Sequence, residues 1–200
     1  EIEKIIKIAR QHNLYIVEDC AVSFGSKSNG VLTGKFGDAA IFSFELSKTF
    51  TSCWGGMLTL NNDNQEIIKK IDTFYINVPR QSIKETFLNL YQLGLSGILY
   101  HNRIFIIGKY LIAILFKLKI FKSSTSTIEK QGGLSLDYLR RLSNGQALIL
   151  EKQIKTFQCY KKRNLEIKSK IISIIGENLI SKQRDLFVKD DVLLIRFPFL

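Results

Sequence analysis

Two residues of opposite charge stand where a β-sheet could present them to one ligand. Asp19 follows Leu14 to Glu18 (LYIVE), a β-branched and aromatic run that reads as a short buried strand. Lys48 follows Ala39 to Phe44 (AAIFSF), a second apolar strand, and stands alone among small and aromatic neighbours. In an open α/β sheet ligands bind outside the carboxyl ends of the strands, so both side chains are expected at one crevice. A carboxylate and an amine so placed suit pyridoxal 5'-phosphate (PLP). The amine forms an imine with the cofactor, and the carboxylate keeps the pyridine nitrogen protonated so that the ring withdraws electrons. For either residue taken singly, a surface lysine or a turn aspartate is the ordinary alternative.

The order of the neighbouring motifs adds to this. Glu18-Asp19 ends the strand, a glycine-bearing run leads to Gly34 through Asp38, Ser43-Phe44 follows, Lys48 comes five residues after the serine, and Gly55-Gly56 precedes another strand. Further on, Arg141, Ser143, Asn144, Gln146 and Ala147 open a long helical stretch. Together these residues resemble the DegT/DnrJ/StrS family of PLP-dependent nucleotide-sugar aminotransferases. The resemblance implies an α/β fold: part of the large domain of a PLP-dependent transferase of the aspartate-aminotransferase type (fold type I), plus the start of the small domain. It implies that Lys48 is the catalytic, Schiff-base lysine, that Asp19 pairs with the pyridinium, and that Ser43 donates to the cofactor phosphate. Val22 takes the cofactor-facing place where the family usually has Gln or His. The resemblance also implies a nucleotide-sugar substrate, an amino-acid donor, a homodimer and a role in cell-surface polysaccharide or secondary-metabolite sugar biosynthesis.

Three positions depart from the family's pattern. They are Val22, the run Ser52-Cys53-Trp54 where the family has Thr-Gly-Glu, and Leu139 where it supplies an asparagine to the neighbouring subunit's cofactor phosphate. A relative that keeps the fold with altered activity is therefore a second reading. A basic module for membrane surfaces or nucleic acid is a third.

Composition bounds the rest. At 200 residues and 46% hydrophobic, the chain can bury one sizeable core and part of a second domain. The formal charge of +11 would suit an acidic partner such as a sugar diphosphate. Its lysines are spread through an Ile-, Lys-, Asn- and Ser-rich chain, so they read as a solvated surface, and no nucleic-acid partner is expected. Cys20, Cys53 and Cys159 lack paired spacing, and the chain has only two histidines, which fits a reducing cytoplasm and no metal site. The chain opens at Glu1 without a methionine and ends within VLLIRFPFL, so a piece of a longer protein is expected.

Three parts are expected: residues 1–78 from the cofactor-binding domain, 79–133 as an apolar helical insertion with a polar loop, and 134–200 as a linking helix and the start of the small domain. Glu1 to Asn13 has helical apolar spacing and should cover the sheet. Gly25 to Gly37 reads as loop and lacks the Gly-x-Gly-x-x-Gly of a dinucleotide site. Met57 to Leu60 is a strand, and a helix from Asn64 to about Phe74 should bury Ile67, Ile68, Ile71 and Phe74. Ile104 to Phe116 is too short to span a bilayer, and Lys109, Lys117 and Lys119 interrupt or close it. A buried helical hairpin or partner interface is preferred there over attachment to a membrane surface. Leu136 to about Ile175 is one long helix or two joined ones.

Overall fold

The computed structural model describes residues 2–123, 127–133, 138–175 and 193. The residues that would begin the small domain, 176–192 and 194–200, lie outside the described set, as do 124–126 and 134–137.

The architecture is α/β, with a small mixed sheet. Strands β1 (Val17–Asp19) and β4 (Ala39–Ser43) run parallel, and β5 (Gly56–Leu60) lies antiparallel against β4. Asp19 is in register with Ile41, and Ser43 with Gly56. Strand alternation then puts Val17, Asp19, Ile41, Ser43 and Leu58 on one face and Glu18, Ala40 and Phe42 on the other. Burial follows that division: Glu18 and Ala40 are buried, whereas Val17, Ile41 and Leu58 are exposed.

The core lies on the buried side. Phe44, Phe50 and Leu150 form its centre, with Phe24, Phe42, Leu142 and Phe157 packed around them. The rings of Phe24 and Phe50 meet edge to face at 4.8 Å, a favoured aromatic geometry.

Several elements differ from their sequence expectations. β1 starts at Val17 rather than Leu14, because β4 begins at Ala39 and offers no partner further back. Instead the Asp38 carboxylate accepts the Ile16 N–H at 2.8 Å. Helix α1 (Ile2–Gln11) buries only Ala9 and leaves Ile5 and Ile8 exposed, so it does not cover the sheet as expected. It is tied to the sheet's edge by Arg10 and Asp38, whose charged atoms lie 3.0 Å apart. The loop expected over Gly25 to Gly37 holds a small hairpin, β2 (Lys27–Ser28) and β3 (Val31–Leu32). Asn29 and Gly30, at φ 49° and 80°, make its turn, the Asn-Gly pairing that favours such hairpins.

Helix α2 (Gln65–Asn77) is capped by Asn64, whose side chain accepts from the Glu66 and Ile67 N–H groups. It runs past Phe74 and buries none of its residues, and Phe74 is exposed. The expected hairpin is present as α3 (Ile83–Leu99) and α4 (Phe105–Lys117), although much of its apolar surface is exposed rather than buried. A short α5 (Thr127–Lys130) interrupts the expected polar loop. The long helical stretch is two helices, α6 (Asn144–Lys155) and α7 (Phe157–Ile175).

Candidate active site

The parallel pairing of β1 with β4 decides where the candidate residues fall. Both strands end at the same edge, so Asp19, Ser43 and the loop carrying Lys48 gather there. Val22, in the turn after β1, is exposed. Asp19 Oδ1 accepts the Ala21 N–H at 3.0 Å, which fixes the carboxylate at the strand's tip. Among the described residues Oδ2 has no hydrogen-bond partner, so one carboxylate oxygen stays open to a donor. Ser43 Oγ accepts from the Glu45 N–H at 3.4 Å, a long bond that leaves its hydroxyl proton available.

Lys48 sits in the loop from Phe44 to Gly55, half-buried, and its ammonium has no hydrogen-bond or ion-pair partner among the described residues. The loop around it is held closely. Phe44 N–H donates to the Gly55 carbonyl at 2.9 Å, and Ser52 N–H to the Phe44 carbonyl at 3.0 Å, closing the loop at its base. Phe44 and Phe50, on either side of the lysine, are both buried in the core. Gly55 and Gly56 are required by the same closure. Gly55 has φ 120°, and a Cβ on Gly56 would lie 2.7 Å from the Phe42 carbonyl oxygen.

Helix α6 grips this loop through two glutamines seven residues apart, on one helix face. Gln146 is 0% exposed. Its amide NH₂ donates to the Ser52 and Trp54 carbonyls, each at 3.0 Å, while its oxygen accepts from the Ser143 N–H and hydroxyl. Gln153 makes a two-point clip on Thr51, accepting its N–H at 3.0 Å and donating to its carbonyl at 2.8 Å. The sequence marked Gln146 only as part of a family likeness, and Gln153 not at all. Arg141, marked in the same run, ends α2 by donating to the Val78 and Ile76 carbonyls. Replacing Gln146 with alanine strands the buried Ser52 carbonyl and leaves the Trp54 carbonyl with the Ser52 hydroxyl alone. It is expected to cost about 1–3 kcal/mol in urea unfolding, against little change for an exposed glutamine such as Gln158.

Glu18 is the functional-region residue that the sequence did not explain. Its buried carboxylate accepts the N–H groups of Gly34, Phe36 and Gly37 at 2.7–2.8 Å. Asn61 closes the same turn from β5's side, donating to the Gly34 and Gly37 carbonyls. The acid before Asp19 thus shapes the turn that leads into β4, and the site's two strands share one polar clamp.

Asp38 ends this turn. The Arg10 guanidinium bonded to it holds its carboxyl below the usual carboxylate range, helped by the Ile16 N–H. A pKa depressed in the folded chain stabilises it above the ordinary carboxylate value of about 4, and that stabilisation fades as pH falls through the folded value. Arg10→Ala is therefore expected to raise the pH at which acid unfolding sets in, followed by circular dichroism, with little change near neutrality beyond loss of a half-exposed pair.

Burial pushes the Cys53 thiol up to about 12, and Cys20 is raised for the same reason. All three cysteines are free. Iodoacetamide at about pH 8 is expected to alkylate exposed Cys159 and to reach Cys20 and Cys53 only in denaturant, as read by peptide mass spectrometry. Among the described residues no group of three or more His, Cys, Asp or Glu side chains could hold a metal ion.

The mixed sheet thus delivers an acid, a hydroxyl and a braced lysine loop to one edge. Residues 1–94 match the model of the DegT/DnrJ/EryC1/StrS aminotransferase family. GDP-perosamine synthase of Escherichia coli O157:H7 is 45% identical over 62 residues, 31% of this chain and 17% of that protein. The Vibrio cholerae GDP-perosamine synthase is 43% identical over 63 residues, 32% of this chain and 17% of its own length. An aminotransferase from Helicobacter pylori, PseC, involved in the biosynthesis of pseudoaminic acid, aligns in structure with a TM-score of 0.48 and 18% identity, over 86% of this chain and 35% of that one. The matched stretches span less than a fifth of the length of these curated relatives.

Proposed function

We propose that the protein to which this chain belongs is a PLP-dependent aminotransferase of nucleotide-sugar biosynthesis, acting in the cytoplasm as a homodimer. The observation that carries this reading is the sheet edge itself. There Asp19, with one carboxylate oxygen open, and Lys48, with no partner among the described residues, stand at the ends of parallel neighbouring strands within a family-matched segment. The residues present fit the cofactor. Asp19 would hold the ring nitrogen, Ser43 would donate to the phosphate, Val22 would lie against the ring, and Lys48 would form the covalent link. When bound, PLP supplies an electron sink for cleavage of the donor's Cα–H bond.

The chain's own part is to orient and to move protons. Asp19, through its open oxygen, would keep the ring nitrogen protonated. The Lys48 amine would take up and return a proton at the donor's α-carbon. The loop bonds to Gln146 and Gln153 hold that amine in place while it works. The acceptor is a keto nucleotide-sugar, the class suggested by the relatives named as GDP-perosamine synthases. In this reading residues 1–78 are large-domain, 79–133 an insertion, and 134–200 lead into the small domain.

The test is to incubate the full-length protein with PLP, reduce with borohydride and digest. A cofactor adduct on the Lys48 peptide supports the reading. An unmodified peptide instead supports the second reading, a relative with altered activity, for which Val22, Trp54 and Leu139 are the specific grounds.

A further inference from the structure

Helices α3 and α4 partly invert the usual segregation of side chains. Asn89, Gln92 and Ser96 of α3 are buried, while Phe87, Tyr91 and Ile98 are exposed. Gln92 is satisfied inside by clipping the Lys122 backbone, accepting its N–H and donating to its carbonyl. On α4, Ile106, Tyr110 and Ile114 form an i, i+4 ridge that is 72%, 62% and 50% exposed, with Ile107 and Leu111 exposed beside it. The opposite side of α4 is the packed one. Gly108 lies against the Leu99 carbonyl, and Ile112 joins Leu99 and Phe121 in a separate small core. The ridge is therefore a deliberate outer surface of a folded hairpin, larger than scattered apolar exposure explains.

Its charge is one-sided. From Thr86 to Ile128 the chain has no Asp or Glu, and Arg103, Lys109, Lys117, Lys119 and Lys122 are all exposed. The Lys109 ammonium lies 5.0 Å from the Tyr110 ring centroid, so one cation rides on the ridge itself. A second copy docked by a two-fold axis would set this acid-free cationic face against itself. A bilayer with anionic headgroups supplies an apolar phase for the ridge and negative charge for the lysines. With 13 residues α4 is about 20 Å long, short of the roughly 30 Å hydrocarbon core. No helix among the described residues is long and apolar enough to cross a membrane.

We propose that the α3–α4 hairpin seats the protein on an anionic lipid surface. Helix α4 lies flat there, with Ile106, Tyr110 and Ile114 at the headgroup–acyl boundary and its lysines among the headgroups. The proposal does not rest on the aminotransferase reading. The sequence favoured a buried hairpin or partner interface; the exposed ridge and the missing acids favour the bilayer.

Flotation of the full chain with phosphatidylcholine vesicles, with and without about 30 mol% phosphatidylserine, tests it. The expected result is at least about tenfold more protein floating with the anionic vesicles, falling sharply at about 0.5 M NaCl. The double variant Ile106→Glu/Ile114→Glu should lower flotation about tenfold with an unchanged circular dichroism spectrum, since both side chains are exposed. Lys117→Gln/Lys119→Gln keeps the ridge and should lose the preference for anionic vesicles, which gives a reading even if the glutamate pair unfolds. Absence of flotation with both vesicle types overturns the proposal. So does a glutamate variant that floats like wild type, or light scattering in which that variant turns a dimer into monomers while neither form binds vesicles.

Discussion

Replacing Lys48 with alanine in the full-length protein is expected to abolish the borohydride-trapped PLP adduct and to lower amino transfer by about 10³-fold or more. The side chain makes no hydrogen bond or ion pair among the described residues, so its loss should leave the fold intact and the melting temperature within about 2 °C of wild type. That separation is what makes the variant informative. The loop's shape is set by backbone bonds to Phe44 and Gly55 and by the two α6 glutamines, none of which uses the lysine's amine. An added primary amine should restore part of the lost rate if Lys48 acts by moving a proton. Near-normal turnover by the alanine variant would show that another group carries the chemistry.

The second large effect is structural and lies one residue before Asp19. Glu18→Ala removes the acceptor for the buried Gly34 and Gly37 N–H groups and the part-buried Phe36 N–H. Unsatisfied buried donors cost about 1–3 kcal/mol each, and relaxation of the turn recovers part of that, so a net loss of about 4 kcal/mol in urea unfolding is expected. Glu18→Gln should be nearly as harmful, because its amide NH₂ must face at least one N–H it cannot accept from. Since the turn leads directly into β4, the cofactor's apparent affinity should weaken together with stability. A loss below about 1 kcal/mol would mean that water or a shifted backbone takes over those donors.

These two residues also mark the boundary between what could be read early and what could not. The positions of Asp19 and Lys48 at the ends of two strands were legible because they are carried by order along the chain. A strand must end before a carboxylate can sit at its tip, and AAIFSF announces the second strand by its apolar run. The helices α1, α2, α6 and α7 were legible for a similar reason, since a repeat near 3.6 residues is a local property of the backbone. Capping is equally local, although Asn64, expected as the first helical residue, is itself the cap. The Asn29-Gly30 hairpin was available to the same kind of reading, but its strands are only two residues long and leave no alternating pattern to notice.

What lay beyond the sequence depends on partners far apart. Glu18 finds its donors 16 to 19 positions away, and Gln146 reaches carbonyls 92 and 94 positions away. Spacing cannot report such pairs, because no backbone periodicity links them. The hairpin makes the same point in reverse: 83–121 reads as apolar and helical, but which of its sides faces in depends on Gly108 admitting the Leu99 carbonyl and on Gln92 clipping Lys122. The sequence by itself determined the order of strands and helices and the types of side chain at the sheet's edge, since both follow from local propensity. Only the tertiary structure decided which polar groups brace that edge and which apolar surface stays outside, because burial and hydrogen bonding are settled between distant segments.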